Sequence, residues 1–268
     1  MDSILGGYNM NTYALITGAS KGIGRALALQ LAKKGYPVLL VARSKDELQA
    51  LATEIITTYQ VQARWLAIDL SDTQAPEQVL KWCTDNSYQV SVLVNNAGYG
   101  LWGSFEKVDI DGQLNMITLN INALVKLTHR FIPLLKQQSQ AYILNVGSTA
   151  AYQAVPTLAV YSATKAFVLS FTRALRYELR DSVISVSCLS PGPTDTGFAH
   201  RAGLDAMADL AAKFNMQPEE VAIIGLKGMF RKKAEIVPGF LNKISVIGAR
   251  HLPKALIEKI GGDLYKSK

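Results

Sequence analysis

Short apolar runs alternate along this chain with longer stretches in which apolar positions recur every three or four residues. The runs predict strands at 13–16, 36–42, 63–69, 90–94, 141–146 and 183–189, and the longer stretches predict helices at 25–32, 44–59, 71–86, 111–138 and 158–180. Ser44, with Glu47 three residues on, reads as a capping box at the start of the second helix. Pro133 is expected to interrupt the fourth helix near its end. Strands alternating with helices of this length imply right-handed βαβ units and a parallel sheet, an α/β fold in a single domain over residues 1–268. Further on, Pro218-Glu219-Glu220 opens a predicted helix over 217–231, and Ile236-Val237-Pro238 reads as a seventh strand. Residues 239–262 predict one or two amphipathic helices.

The pattern is sharpest where strand 13–16 runs straight into Thr17-Gly18-Ala19-Ser20-Lys21-Gly22-Ile23-Gly24 and then into a helix. A strand, a glycine turn and a helix N-terminus in that order make an anion site. Glycines let the backbone pass close to a diphosphate, and the first helical amides point at it. The spacing is Gly-x-x-x-Gly-x-Gly, which differs from the usual dinucleotide fingerprint. Asn95-Asn96-Ala97-Gly98, Gly147-Ser148 and Pro191-Gly192-Pro193-Thr194-Asp195-Thr196 also fall just past predicted strand ends, where open α/β sheets bind ligands.

Tyr161 and Lys165 are four apart, so on a helix they share one face. An ammonium beside a phenol favours the phenolate and lowers a pKa that is normally about 10, which yields a proton-transfer group usable near neutral pH. Ser148, at the end of the preceding strand, is placed to donate to the same substrate oxygen. Taken alone, a Tyr-x-x-x-Lys is equally an exposed pair on an amphipathic helix; the glycine turn and Ser148 in the same chain favour chemistry.

These motifs, in this order, resemble the short-chain dehydrogenase/reductase family over residues 13 to about 196. The resemblance implies a doubly wound Rossmann-type fold, a seven-stranded parallel sheet with helices on both faces. It also implies a nicotinamide cofactor and reversible hydride transfer between that cofactor and a carbonyl or alcohol. Carried over by position, Tyr161 is the general acid/base, Lys165 holds the nicotinamide ribose and lowers the tyrosine pKa, and Ser148 positions the carbonyl oxygen. Asn120 matches a helix asparagine that supports a water-linked proton relay. Gly18, Ser20, Lys21, Gly22, Ile23 and Gly24 are the phosphate turn, Asp69 contacts the adenine ring, and Asn95, Ala97 and Gly98 lie against the adenosine side. Pro191, Gly192, Thr194 and Thr196 close over the nicotinamide and diphosphate. The family often has Ser-Ser where this chain has Gly147-Ser148. It also implies a homodimer or homotetramer through the two long helices.

Cofactor choice follows from the end of the second strand. NAD-binding members of such folds carry an Asp or Glu there to accept from the ribose hydroxyls. This chain has Arg43, followed by Ser44 and Lys45. A carboxylate would repel a 2′-phosphate, whereas a guanidinium grips it with two hydrogen bonds, and Lys21 approaches from the other side. NADP(H) is therefore the expected cofactor, with no metal.

Composition adds two things. The net charge of +7 resides in residues 226–268, which hold ten Lys or Arg against three Asp or Glu, while the rest of the chain balances at eighteen of each sign. A nucleic-acid-binding surface is thereby disfavoured, and a basic end segment is favoured. That segment reads as amphipathic helices with a surface role near the pocket entrance, equally as a docked helix with a solvated basic face, and, as a weaker third alternative, as a membrane-surface contact. Cys83 and Cys188 lie far apart in apolar stretches, which fits buried thiols in a reducing cytoplasm, and the first twelve residues lack the order of a secretory signal. Residues 197–268 are expected to form a variable substrate lid and the basic helical segment, with Tyr99, Trp102, Tyr152, Phe198 and His200 lining an apolar pocket. The expected activity is reduction of an apolar carbonyl or oxidation of the matching alcohol. A narrower alternative is reduction of 3-oxoacyl thioesters, and a non-catalytic nucleotide sensor is the alternative of another class.

Overall fold

The computed structural model describes residues 12–195 and 215–264. Seven parallel strands form one sheet in the order β3-β2-β1-β4-β5-β6-β7. They are β1 (Tyr13–Thr17), β2 (Val38–Ala42), β3 (Ala63–Ala67), β4 (Val90–Asn95), β5 (Ala141–Val146), β6 (Ile184–Leu189) and β7 (Glu235–Ile236). The helices are α1 (Gly22–Lys33), α2 (Lys45–Tyr59), α3 (Ala75–Asp85), α4 (Ile110–Ile117), α5 (Leu124–Leu135), α6 (Ala159–Glu178), α7 (Pro218–Phe230), α8 (Phe240–His251) and α9 (Lys254–Leu264).

Near-continuous apolar strands are what a sheet covered on both faces requires. Ala14 and Ile16 face the side packed by Leu27 and Leu31 of α1, Leu51 and Ile55 of α2 and Leu226 of α7. Leu15, between them, faces Val79 of α3, Phe131 of α5 and Leu175 of α6. Alternate residues of one strand thus feed two separate cores. Chain order reverses between β1 and β4, with Ile16 paired to Leu40 on one side and Val94 on the other. Ligands of doubly wound sheets sit at this switch point.

Three local expectations are corrected. The helix foreseen at 111–138 is two α-helices joined by a π-helical turn, Thr118–Ala123, and Pro133 lies inside α5 without interrupting it, two residues before its end. Ser44 precedes α2 without a side-chain cap, and Glu47 of the expected capping box pairs with Lys21. The seventh strand is Glu235–Ile236, one step earlier than foreseen, since Pro238 has no amide for a ladder. The two predicted amphipathic helices at 239–262 are present as α8 and α9. No helix among the described residues is long and apolar enough to cross a membrane.

Candidate active site

The turn after β1 is built for close approach. Gly18 has φ +64°, and a Cβ there would lie 2.8 Å from Asn96 Nδ2 and 2.9 Å from Ala97 Cα. At Gly24, in the first turn of α1, a Cβ would lie 2.1 Å from the Gly18 carbonyl oxygen. The turn therefore folds back onto its own helix, leaving backbone amides at an open helix N-terminus. α1 has no side-chain cap and no acidic residue in its first turn, so its positive end is not neutralised locally. Ser20, Lys21, Gly22 and Ile23 all lie in this turn or in the opening of α1. The shape and charge fit a dinucleotide diphosphate.

Asn96 holds the turn in place. Its Nδ2 donates to the carbonyls of Thr17 at 3.0 Å and Gly18 at 3.1 Å, and the amides of Asn96 and Ala97 donate to Thr17 Oγ1. Asn95, expected in a turn against the adenosine side that also steadies the central sheet, turns its side chain the opposite way and serves the sheet. As the last residue of β4 it shares the parity of Leu93, so its side chain enters the α5 side of the sheet and donates to Thr128 Oγ1 and to Asn145 Oδ1 at 2.8 Å. Asn145 in turn donates to Thr172 Oγ1. This buried chain ties β4 and β5 to α5 and α6. Strand parity, applied one residue further, would have selected Asn96.

Past the ends of β2 and β3, Arg43 Nη1 stands 3.7 Å from Asp69 Oδ2, and both side chains are exposed. Burial pushes the Asp69 carboxyl up, but hydrogen bonds from the Ser71 amide and hydroxyl, with the Arg43 charge, outweigh it and hold the group low. Lys21 Nζ lies 2.6 Å from Glu47 Oε1. The hydrogen bond from Lys21 keeps the Glu47 carboxyl below the usual range. Sequence reading had missed Glu47 in this role, having assigned it to the cap.

On the other side of the switch point, Tyr161 and Lys165 are buried one turn apart on α6, with Lys165 Nζ 5.8 Å from the Tyr161 ring centroid. Nζ donates to the Val146 carbonyl at 2.9 Å. Burial lowers the Lys165 pKa to about 8, with the Cys188 thiol opposing the shift. Gly98 completes this pocket: a Cβ there would lie 2.8 Å from Asn120 Oδ1 and 3.6 Å from Lys165 Nζ. Asn120 is displayed by the π-helical turn, a frequent device at functional sites. Its amide clamps the Tyr99 backbone, accepting from the N–H and donating to the carbonyl, and it also donates to Thr164 Oγ1 at 3.0 Å. Ser148 lies just past β5, its hydroxyl accepting from the Ala150 amide at 3.1 Å.

Tyr161 belongs to an apolar cluster with Met116, Val155 and Leu158, packed by Tyr99 and Trp102. The Trp102 indole nitrogen is buried without a hydrogen-bond partner. Tyr152 does not join this wall, contrary to expectation. Its hydroxyl is turned toward β7, donating to Glu235 Oε2 at 3.0 Å with Ser190 Oγ 3.3 Å away, and burial pushes its pKa up, keeping it a donor. Glu235 also pairs with Arg173 and with Arg250, whose guanidinium lies 5.0 Å from the Tyr152 ring centroid. Gly192 sits beneath Asn242 of α8: a Cβ there would lie 2.2 Å from Asn242 Oδ1. Neither Glu235 nor Asn242 was singled out from the sequence. The Thr194 hydroxyl donates to the Gly192 carbonyl. Thr196, Phe198 and His200 lie outside the described residues. No cluster of three potential metal-binding side chains occurs among the described residues.

Comparison with known proteins agrees with this geometry. The family model described as short chain dehydrogenase matches residues 12–206. A very-long-chain 3-oxoacyl-CoA reductase from Laccaria bicolor is 37% identical over 186 residues, covering 69% of this chain and 55% of the relative, so the match spans about half of that protein. An NADP-dependent 3-hydroxy acid dehydrogenase from Schizosaccharomyces pombe is 32% identical over 230 residues, covering 83% of this chain and 88% of that one. Among solved structures, a short-chain dehydrogenase from Sphingobium yanoikuyae in complex with NADPH superposes with a TM-score of 0.78 at 32% identity, covering 92% of this chain and 94% of the other.

Proposed function

The chain belongs to the short chain dehydrogenase family, and on that premise we propose that it is an NADP(H)-dependent oxidoreductase of an apolar carbonyl or the corresponding alcohol. The observation that carries the reading is the pairing of Tyr161 with buried Lys165 beside Gly98, across the switch point from the glycine turn. A nicotinamide bound there supplies the hydride to the carbonyl carbon, or accepts it from the alcohol.

The residues of the chain do the rest. Gly18 to Gly24 cradle the diphosphate, Ala97 and Gly98 flank the adenosine side, and Asp69 meets the adenine. Tyr161 gives its phenolic proton to the substrate oxygen as the carbon is reduced, and takes it back in the reverse direction. Ser148 donates to that same oxygen and holds it in place. Lys165 binds the nicotinamide ribose and, by its charge, favours the phenolate. Asn120 lies between Tyr99 and Thr164 and supports proton resupply through water. Pro191, Gly192, Thr194 and Thr196 close over the nicotinamide. The apolar cluster around Tyr161 supports an apolar substrate, and Trp102 brings a buried N–H to meet a polar atom of it. Arg43 and Lys21, with no carboxylate at the end of β2, support NADP(H) over NAD(H). The two buried thiols, Cys83 and Cys188, support a reducing, cytoplasmic setting.

NADPH oxidation with a panel of aldehydes, ketones and 3-oxoacyl thioesters tests the reading. Turnover of apolar ketones or aldehydes supports it. Turnover confined to thioesters selects the narrower reductase, which the likeness to the 3-oxoacyl-CoA reductase favours. Tight NADPH binding with no turnover across the panel rejects the enzyme reading in favour of a sensor.

A further inference from the structure

Helix α8 is mounted with its apolar side outward. Val246 is buried, Asn242 packs on Gly192, and Arg250 reaches Glu235; these three mark the inward side. At about 100° per residue, Phe240, Ile244 and Ile247 fall on roughly the opposite side. They are 75%, 50% and 58% exposed, and Leu241 beside them is 61% exposed. A helix resting on a globular core ordinarily turns such residues inward. Exposed Leu252 and Leu256 continue the apolar surface into α9, and Lys243 and Lys254 are exposed alongside it.

Charge decides what covers this face. Residues 226–268 carry ten basic and three acidic side chains. One of the three, Glu235, is largely buried and taken up by Arg173 and Arg250, so it offsets nothing outside. A second copy meeting this face about a two-fold axis would bring the same net-basic surface against itself. An anionic lipid surface satisfies both features: apolar side chains enter the headgroup–acyl boundary while lysines meet the headgroups.

We propose that α8 and the start of α9 dock on an anionic membrane surface, lying in its plane without crossing it. The outward residues Phe240, Leu241, Lys243, Ile244, Ile247 and Lys254 are none of those assigned to hydride transfer, so docking and turnover are separable.

Flotation of the full-length protein with phosphatidylcholine vesicles, with and without phosphatidylglycerol, tests this. Binding is expected only to the anionic vesicles and should fall with salt. Replacing Lys243→Gln and Lys254→Gln together should weaken partitioning about 30-fold, at roughly fivefold per lysine. Ile244→Gln with Ile247→Gln should abolish it, while NADPH affinity and melting temperature stay at wild-type values. Failure to bind anionic vesicles, or equal binding to both kinds, overturns the proposal. A loss of oligomer mass in the Ile244→Gln/Ile247→Gln protein by light scattering, with no vesicle binding by the wild type, assigns the face to a second copy instead.

Discussion

Lys21 in the glycine turn and Glu47 in the first turn of α2 form an ion pair 2.6 Å long. The lysine proposed to meet a 2′-phosphate thus already has a carboxylate partner, and a phosphate would have to compete for it. Glu47→Gln should lower the KM for NADPH and leave that for NADH nearly unchanged. Arg43→Ala, by removing a charge-assisted contact of about 1.5–3 kcal/mol, should raise the KM for NADPH roughly 10- to 150-fold. Measuring kcat/KM with both cofactors checks this, and equal values in the native enzyme would refute the NADP(H) assignment.

Tyr161→Phe removes only the transferable proton. Turnover should fall by about 10² to 10⁴, with NADPH affinity retained. Fluorescence titration of NADPH alongside steady-state rates separates the two, and a near-native kcat would show the wrong acid/base had been named.

Lys165 carries a signature in the pH dependence of stability. Its folded pKa of about 8 lies below the usual 10.5. Between those values the unfolded chain binds the extra proton, so stability rises with pH across that window, by about 3 kcal/mol in total. Lys165→Met should lack this rise and should also lose turnover. Urea unfolding of both proteins at pH 7 and at pH 10.5 reads the difference; parallel changes in the two would contradict it.

Gly147 occupies the place of a common serine, and its neighbours crowd the position. A Cβ there would stand 3.0 Å from Cys188 Sγ and 3.2 Å from Ser190 Oγ. Gly147→Ser should therefore cost about 1–3 kcal/mol, the usual penalty of overpacking. Cys188→Ala in the same chain should recover much of it. A Gly147→Ser protein as stable as wild type would show that the strand ends shift freely.

Ile110 and Leu114 of α4 and Phe167 and Tyr177 of α6 are exposed, and Phe167 stacks on Phe171 at 5.9 Å. We expect α4 and α6 to pair with a second copy, with Phe167 in the contact. Light scattering should give a multiple of 29.2 kDa for the wild type and the single-chain mass for Phe167→Glu. A wild-type monomer at micromolar concentration would rule the interface out.

By itself the sequence determined the order of strands and helices, the glycine turn, and the placement of Tyr161, Lys165 and Ser148 near strand ends. Those features are local, set by periodicity, by glycine and by four-residue helical spacing, and strand ends gather at one edge of any parallel sheet. Only the tertiary structure decided which way each side chain turned. Asn95 went into the core and Asn96 to the site because strand parity flips at each residue, and one position separates the two. Glu47 gained Lys21 as a partner, and Tyr152 left the substrate wall for Glu235, because those partners are distant in sequence and adjacent only after folding. The outward apolar face of α8 was legible as amphipathicity, but which side faced the core depended on Gly192 and Glu235, contacts that no local pattern encodes.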